Sequence, residues 1–276
     1  MASDLHSALN GQARSYAHSQ VDVCDRAAVD RAYEEVMPDV VFNCAAFHNV
    51  DVCESEPEQA WRVNVEAVRQ LAARGVPFVH ISTNYVFDGR RDEPYSEADL
   101  PSPRSVYALT KLAGEYAALA YGARSLVVRS AGLYGLSGSA SKGGNFVQRM
   151  VGRAREAGAL RMVADQRLQP TSTADLAQAI LSAVDEGASG VVHLTSSGAC
   201  SWFEFTEAIV ETAGLDVTIE PVQTTVPRGG ADRPLNGVLA RERADALGLA
   251  PLRGWREALS DYMNKAGLAA APEHGE

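Results

Sequence analysis

The stretch that decides the fold runs from Phe78 to Val128. It reads Phe78-Val79-His80-Ile81-Ser82-Thr83, a long loop, Val106-Tyr107-Ala108-Leu109-Thr110-Lys111 continuing through mainly apolar sequence to Tyr121, then Leu126-Val127-Val128. Phe78–Ile81 and Leu126–Val128 are short apolar-rich runs of the kind that form parallel strands buried on both faces. The segment from about Val106 to Tyr121 reads as the helix between them. A strand, a helix and a strand of this length imply a right-handed crossover and a parallel sheet covered by helices.

The same unit recurs upstream. Asp25 is placed to cap a helix through Ala28, Val29, Ala32, Tyr33 and Val36, which Pro38 stops. Val40-Val41-Phe42 follows as a strand, and Pro57 suits the first turn of a helix carrying Ala60, Trp61, Val63, Asn64, Ala67, Val68, Leu71 and Ala72 that ends at Gly75. The pattern predicts a doubly wound parallel α/β sheet. After about Ser137 it loosens: Gly135, Gly138, Gly143 and Gly144 mark a loop, and a helix is expected from about Asn145 to Glu156. Further helices are expected from Thr173 or Asp175 through Val184, after Ser201, and near Trp255–Met263. Strands are expected at Val191–Leu194 and around Val217–Ile219, and a frayed tail at Ala269–Glu276.

At 276 residues, and roughly 150 residues per domain, the chain forms one large domain or two small lobes. Hydrophobic residues make up 46% and charged ones 22%, ordinary for a soluble globular protein with a sizeable core. The net charge of −10 argues against a nucleic-acid binder. It leaves room for an anionic small ligand, which needs only a local cationic pocket. No apolar run approaches the ~20 residues of a membrane span, and Met1–Gln20 lacks the apolar core of a signal peptide. Cys24, Cys44, Cys53 and Cys200 contain no CxxC pair, so reduced thiols and a cytoplasmic setting are expected.

One constellation carries chemistry. Tyr107 and Lys111 stand at i and i+4 on one helix face. With nine tyrosines and three lysines in the chain, chance supplies roughly 0.1 such pairs, so position has to add the rest. Thr83 ends a buried strand, and in open parallel sheets ligands gather beyond the carboxyl ends of strands. A phenol titrates near ~10, and a neighbouring ammonium is expected to lower it. Tyr107 would give its proton to a carbonyl oxygen as hydride reaches the carbon, and Thr83 would hydrogen-bond the same oxygen. The plain alternative is an amphipathic helix with a core tyrosine and a solvated lysine.

Longer motifs carry a resemblance. They are Asn43-Cys-Ala-Ala46, Val50-Asp51, Glu54-Ser-Glu-Pro57, Val63-Asn64, His80-Ile-Ser-Thr83, Tyr85-Val-Phe-Asp-Gly89, Thr110-Lys-Leu-Ala-Gly-Glu115 and Arg129. Leu133-Tyr-Gly135, Gly144-Asn-Phe146, Asp165-Gln166, Pro170-Thr171, Ser201-Trp202, Arg233-Pro234 and Trp255-Arg256 continue them. Over about residues 20 to 265 the chain resembles the dTDP-4-dehydrorhamnose reductase family, extended short-chain dehydrogenase/reductases that reduce the 4-keto group of a nucleotide-activated 6-deoxy sugar with NADPH or NADH. The resemblance implies a Rossmann-like cofactor lobe over residues 1–140, with 173–195 returning to it, and a mainly substrate-binding lobe over 141–276. It implies Tyr107 as proton donor, Lys111 as its partner and cofactor ligand, and Thr83 as ligand of the substrate oxygen. Asp22, Val23, Ala46, Phe47, His48 and Ile81 fall at cofactor positions; core packing for Phe47 and a surface loop for His48 are the plain readings. Asn84, Asn145, Gln166, Pro170, Thr171 and Arg233 fall on the sugar-nucleotide side, with Arg233 a diphosphate ligand. Arg129 reads equally as a buried ion-pair partner, and Gly143-Gly144-Asn145 as an anion cradle or a hinge. No metal cluster is expected, and the assemblies that the resemblance admits include a homodimer.

Three departures stand out. Asn84 occupies a place where the family usually has Asp. Ser130-Ala131-Gly132 replaces a stretch where many members carry a sugar-stacking tryptophan. The first residues already read as the helix that should follow a strand and a glycine-rich turn. A central strand missing from the sheet would leave two neighbours with unpaired backbone groups, at ~1–3 kcal/mol for each one buried. The expectations are a sequence that starts downstream of the true start, a gap closed by rearranged or exchanged strands, or a relative that has given up its cofactor. The last would be a non-catalytic binding or regulatory subunit, like that of methionine adenosyltransferase. No cation is evident near Asp22 and Asp25 to read a 2′-phosphate, which keeps NADH open beside NADPH.

Overall fold

The computed structural model describes residues 1–138, 143–226 and 230–270. The chain opens on α1 (Ala2–Ala8). In α2 (Arg26–Val36) the Asp25 carboxylate accepts from the Ala27 and Ala28 amides, donors that the first helical turn leaves open. Met37 closes α2 in the left-handed region at φ 47°. After β1 (Val41–Asn43) comes α3 (Val50–Ser55), capped by Asn49. Pro57 begins α4 (Pro57–Trp61), where a missing N–H does no harm. The helix then widens into a π turn at Arg62–Glu66 and continues as α5 (Ala67–Ala72). β2 (Phe78–Thr83), α6 (Val106–Tyr121) and β3 (Ser125–Ser130) follow, and the Ser105 hydroxyl caps α6 through the Ala108 amide.

The chain next forms β4 (Leu133–Tyr134), α7 (Phe146–Glu156), β5 (Ala159–Val163), β6 (Arg167–Leu168), β7 (Thr171–Ser172) and α8 (Thr173–Asp185). It then returns to the sheet as β8 (Gly190–His193), which pairs with β3 and gives four parallel strands in the order β1-β2-β3-β8. Asn43 lies beside His80, and Thr83 beside Ser130. β9 (Ser196–Ser197), β10 (Cys200–Ser201), α9 (Trp202–Thr212), β11 (Thr218–Val222), α10 (Glu242–Ala246), β12 (Leu252–Gly254) and α11 (Trp255–Lys265) complete the described chain. The minor strands pair as β4 with β7, β5 with β11, β6 with β10 and β9 with β12.

Alternation along the strands builds a core on each face of the sheet. Val79, Leu126, Val128 and Val192 pack with Leu176 and Ile180 of α8 and Leu5 of α1. Phe78 and Val127 pack with Val29, Val68, Leu71 and Ala118 from α2, α5 and α6. The doubly wound parallel architecture follows. A separate core around Tyr134, Val147, Met150, Phe205, Ile209, Leu259 and Met263 organises the C-terminal part.

One expectation is corrected. Residues 21–24 form no strand, and the outer edge of β1 has no strand partner among the described residues. Of the two strands expected to flank the gap only β1 is present, and no other described strand pairs with its outer edge. α1 instead lies against α8, with Leu5 in the core on that face of the sheet. The predicted frayed tail lies, from residue 271 on, outside the described residues. No helix among the described residues is long and apolar enough to cross a membrane.

Candidate active site

The site forms at the carboxyl ends of β2 and β3. Thr83 is the last residue of β2, and its hydroxyl accepts from the Tyr85 amide at 3.2 Å and donates to Asn84 Oδ1 at 3.3 Å. The Tyr107 phenol, from the first turn of α6, stands beside Thr83, close enough for the Thr83 side chain to act on it. The Tyr85 ring stands edge-on to the Tyr107 ring, with centroids 5.8 Å apart. Burial pushes the Tyr107 phenol well above its usual range, and the neighbouring Thr83 side chain opposes that rise.

Lys111 behaves differently from the expectation. Its Nζ donates to the Ile81 carbonyl at 2.7 Å and lies 3.2 Å from His80 Nε2. The i, i+4 spacing puts Tyr107 and Lys111 on one side of α6, yet the lysine ends on the β2 backbone and the phenol at the strand tip. Burial is the largest influence on the Tyr107 phenol and raises it, where a lowered value was expected. Burial pulls the ammonium of Lys111 down to about 8, against Glu115 and Cys44, which favour the charged form. Nζ has two hydrogens as an amine and three as an ammonium. In either state one N–H is left after Ile81 and His80 are served.

The loop after β1 is held from behind. Asn64, within the π turn, accepts from the Phe47 amide at 2.8 Å and donates to the Phe47 carbonyl and to Thr110 Oγ1, both at 3.0 Å. Thr110 in turn donates to the Tyr107 carbonyl at 3.0 Å. Asn64 therefore ties the segment holding Ala46, Phe47 and His48 to the turn of α6 that carries the phenol. π turns often mark such sites. Gly114 permits the close packing, since a Cβ there would strike the Asn64 carbonyl oxygen. Asn43, Asn64 and His80 were not singled out as functional from the residues alone; their signal was a polar side chain inside an otherwise apolar strand or helix.

The remaining residues divide by what occupies their polar atoms. Asp22 accepts from the Cys24 amide at 2.9 Å, and Val23 packs beside β1 and β2. The Arg62 side chain reaches the Cys24 thiol, so a cation does stand near Asp22, contrary to expectation. Distance along the chain hid it. Arg233 donates to Asp51 at 2.7 Å, and its charge acts on the Tyr85 phenol beside the Tyr107 ring. Gln166 donates to Thr224 Oγ1 at 3.0 Å.

Four others serve the scaffold. Asn84 donates to the Gly237 carbonyl at 2.9 Å. Asn145 caps α7 and donates to Gly135 O and the Tyr262 hydroxyl at 2.8 and 2.7 Å, so its side chain is fully engaged within the fold. Thr171 donates to Gln169 O and accepts from the Ser196 amide. Pro170 lies against Gly132, where a Cβ would approach Leu168 Cδ1 to 2.8 Å and Pro170 Cα to 3.1 Å. That contact explains the glycine in the stretch where a tryptophan was expected. Arg129 forms a buried two-pronged ion pair with Glu115 at 2.9 and 2.7 Å, and Ser82 also donates to Glu115. Of its two readings, the ion-pair one describes the structure. No cluster of three or more His, Cys, Asp or Glu side chains fit to hold a metal occurs among the described residues.

Residues 1–267 match the protein family described as RmlD substrate binding domain. The dTDP-4-dehydrorhamnose reductase of Mycolicibacterium smegmatis is 40% identical over 252 residues, 89% of this chain and 75% of that one. A crystal structure of a dTDP-4-dehydrorhamnose reductase from Clostridium acetobutylicum superposes with a TM-score of 0.89 at 35% identity, covering 96% of this chain and 95% of that one. The Bacillus anthracis dTDP-4-dehydrorhamnose reductase, solved in complex with NADP, gives a TM-score of 0.87 at 30% identity over 95% and 94% of the two chains. With the match spanning both the sheet that carries Thr83 and Tyr107 and the C-terminal core, the chain belongs to the RmlD substrate binding domain family.

Proposed function

We propose that the chain is an NAD(P)H-dependent ketoreductase that reduces the 4-keto group of a nucleotide-activated 6-deoxy sugar. The observation that carries this reading is the placing of the buried Tyr107 phenol beside Thr83 at the carboxyl end of β2, in a chain whose relatives are named reductases of such sugars. Tyr107 is the proton donor. Its raised pKa keeps the phenol protonated, so the proton is in place when a carbonyl oxygen docks. Thr83 shares that oxygen and fixes its position.

The nicotinamide side of the site fits the cofactor, because Lys111 keeps one N–H for a sugar hydroxyl and the loop carrying Ala46, Phe47 and His48 is locked by Asn64. When bound, the dinucleotide supplies the hydride. Arg62, beside Cys24 and Asp22, supports NADPH, the 2′-phosphate being the group a cation there would read. Arg233 exchanges Asp51 for the substrate diphosphate, and Gln166 contributes to the sugar side. The four cysteines are free thiols, which supports a cytoplasmic setting.

Purified protein supplied with NADPH and a dTDP-4-dehydro-6-deoxy sugar is expected to consume NADPH. Tyr107→Phe is expected to lower kcat on the order of 10²- to 10⁴-fold while leaving NADPH binding intact. A variant that turns over normally removes Tyr107 from the donor role. Absence of NADPH binding in calorimetry at millimolar cofactor would favour the non-catalytic subunit instead.

A further inference from the structure

Asn84, the residue after the tip of β2, is engaged at both ends of its side-chain amide, and the far end sets the direction of the near one. The Gly237 carbonyl only accepts, so Asn84 Nδ2 faces it, at 2.9 Å. Oδ1 therefore faces Thr83 Oγ1, at 3.3 Å. An amide oxygen only accepts, so the Thr83 hydrogen points at Asn84. The Tyr85 amide donates into one lone pair of the same hydroxyl at 3.2 Å. One lone pair is left, and the Tyr107 phenol stands beside Thr83. Thr83 and Asn84 are both buried, so little water competes for these bonds.

The Gly237 end is held from two sides. The Gly237 amide donates to the Arg167 carbonyl at 2.8 Å, and the Arg167 amide donates to the Leu235 carbonyl at 2.6 Å. The Asn236 side chain donates to the carbonyls of Arg91 and Asp92 at 2.9 and 3.0 Å. Glycine is what permits the contact, since a Cβ at 237 would strike Asn84 Nδ2. Four residues upstream on the same segment, Arg233 pairs with Asp51.

We propose that Asn84 is a positioning residue for the reduction and acts through Thr83. It takes the orientation of the 235–237 segment and holds the resting Thr83 hydroxyl with its hydrogen on Oδ1 and a lone pair toward the Tyr107 phenol. The bond to Oδ1 is long, so Thr83 exchanges it for the keto oxygen when that oxygen arrives. A carboxylate at position 84 would do neither. It has no hydrogen for the Gly237 carbonyl, and it would hold the Thr83 hydrogen roughly twice as strongly. The catalytic half of this assignment rests on the reductase reading; the hydrogen-bond half stands on the contacts alone.

Asn84→Asp separates the two halves, because its acid form donates to Gly237 and accepts from Thr83 while its carboxylate cannot donate. Without cofactor or substrate, this variant is expected to unfold at a lower urea midpoint than the unsubstituted chain at pH 8. The gap is expected to close as the pH falls, since a buried carboxyl facing a carbonyl binds its proton more tightly in the folded state. Tyr85, Tyr107 and Arg233, the ionisable groups at this end of β2, are common to both chains. With NADPH and keto sugar, at a temperature where both chains are folded, Asn84→Asp is expected to lower kcat on the order of tenfold at pH 8. That loss should shrink toward pH 6, with KM for NADPH unchanged. In a Thr83→Ala background the same substitution is expected to have no further effect on kcat.

A stability gap that stays open at acid pH overturns the Gly237 anchor. A tenfold loss that persists in the Thr83→Ala background overturns the action through Thr83. Gly237→Ala pushes Asn84 from the other side and decides the matter if Asn84→Asp fails to fold: it is expected to show the same Thr83-dependent loss, and an undiminished kcat overturns the proposal. A gap that closes in a chain that reduces no keto sugar keeps the anchor and removes the reductase reading, and the positioning role with it.

Discussion

Glu115 and Arg129 show how one residue's placement supports the whole site. Both are almost completely buried, with side-chain exposures of 1% and 4%, and both are met by a two-pronged contact, with Ser82 as a third partner. The Arg129 guanidinium also lies over the Phe87 ring at 5.1 Å. Such a pair owes less to net attraction than to the cost of stranding one member without the other. Glu115→Ala is therefore expected to destabilise the fold by ~3–5 kcal/mol, read from urea unfolding midpoints at constant slope. Glu115→Ala with Arg129→Met should recover much of that loss. If the double variant is no more stable than the single one, the stranded-charge account fails. From sequence, Arg129 admitted this reading, but its partner could not be named: Glu115 is fourteen residues away, on a helix whose facing residues only the crossover brings together.

At the scale of elements, α6 is the piece on which the site depends. Its bounds were legible, because the apolar run from Val106 to Tyr121 has a capping serine before it and a glycine after it. Its partner was not. Pro57–Ala72 reads as one helix by periodicity, and the π turn at Arg62–Glu66 leaves no mark on an apolar pattern. That turn carries Asn64 into contact with the Phe47 backbone and with Thr110, and Gly114 is the residue of α6 that leaves room for it. Gly114→Ala is expected to force the two helices apart. The overpacking cost is on the order of 1–3 kcal/mol, against the small gain alanine ordinarily brings inside a helix. Thermal unfolding measures the net sign, and a stabilised variant would show that the contact yields. The strands were legible wherever both faces are buried, as in β2, β3 and β8. The two- and three-residue strands of the C-terminal part were mostly not, since runs that short carry no period.

For the molecule as a whole, the doubly wound order could be read from the strand and helix alternation, while the burial of its histidines could not. His80 and His193 sit on β2 and β8 and are 0% and 1% exposed. His193 Nδ1–H donates to the Ala240 carbonyl at 3.0 Å, and the residue lies beside Arg129 of the neighbouring strand. Burial and the Arg129 charge lower its pKa to about 3, and burial with Lys111 lowers that of His80. In the unfolded chain both take up protons near ~6.5. Between that value and the native one the unfolded state binds more protons, so stability is complete above about pH 6.5 and falls as the pH drops. Each histidine contributes up to ~1.4 kcal/mol per pH unit, or about 3 kcal/mol for the pair between pH 6.5 and 5, since at pH 6.5 the unfolded imidazoles are half protonated. The lowered carboxylates Asp88, Asp99 and Asp261 add to the same trend only at more acid pH, because their ordinary value is 3.8. Urea unfolding at pH 6.5 and 5 therefore isolates the histidines. His193→Asn keeps a donor for the Ala240 carbonyl but cannot take up a proton, and is expected to halve the slope. Equal stability of the unsubstituted protein at the two pH values would mean that the native state accommodates both imidazolium ions, and that these strands are not the acid-sensitive part of the fold.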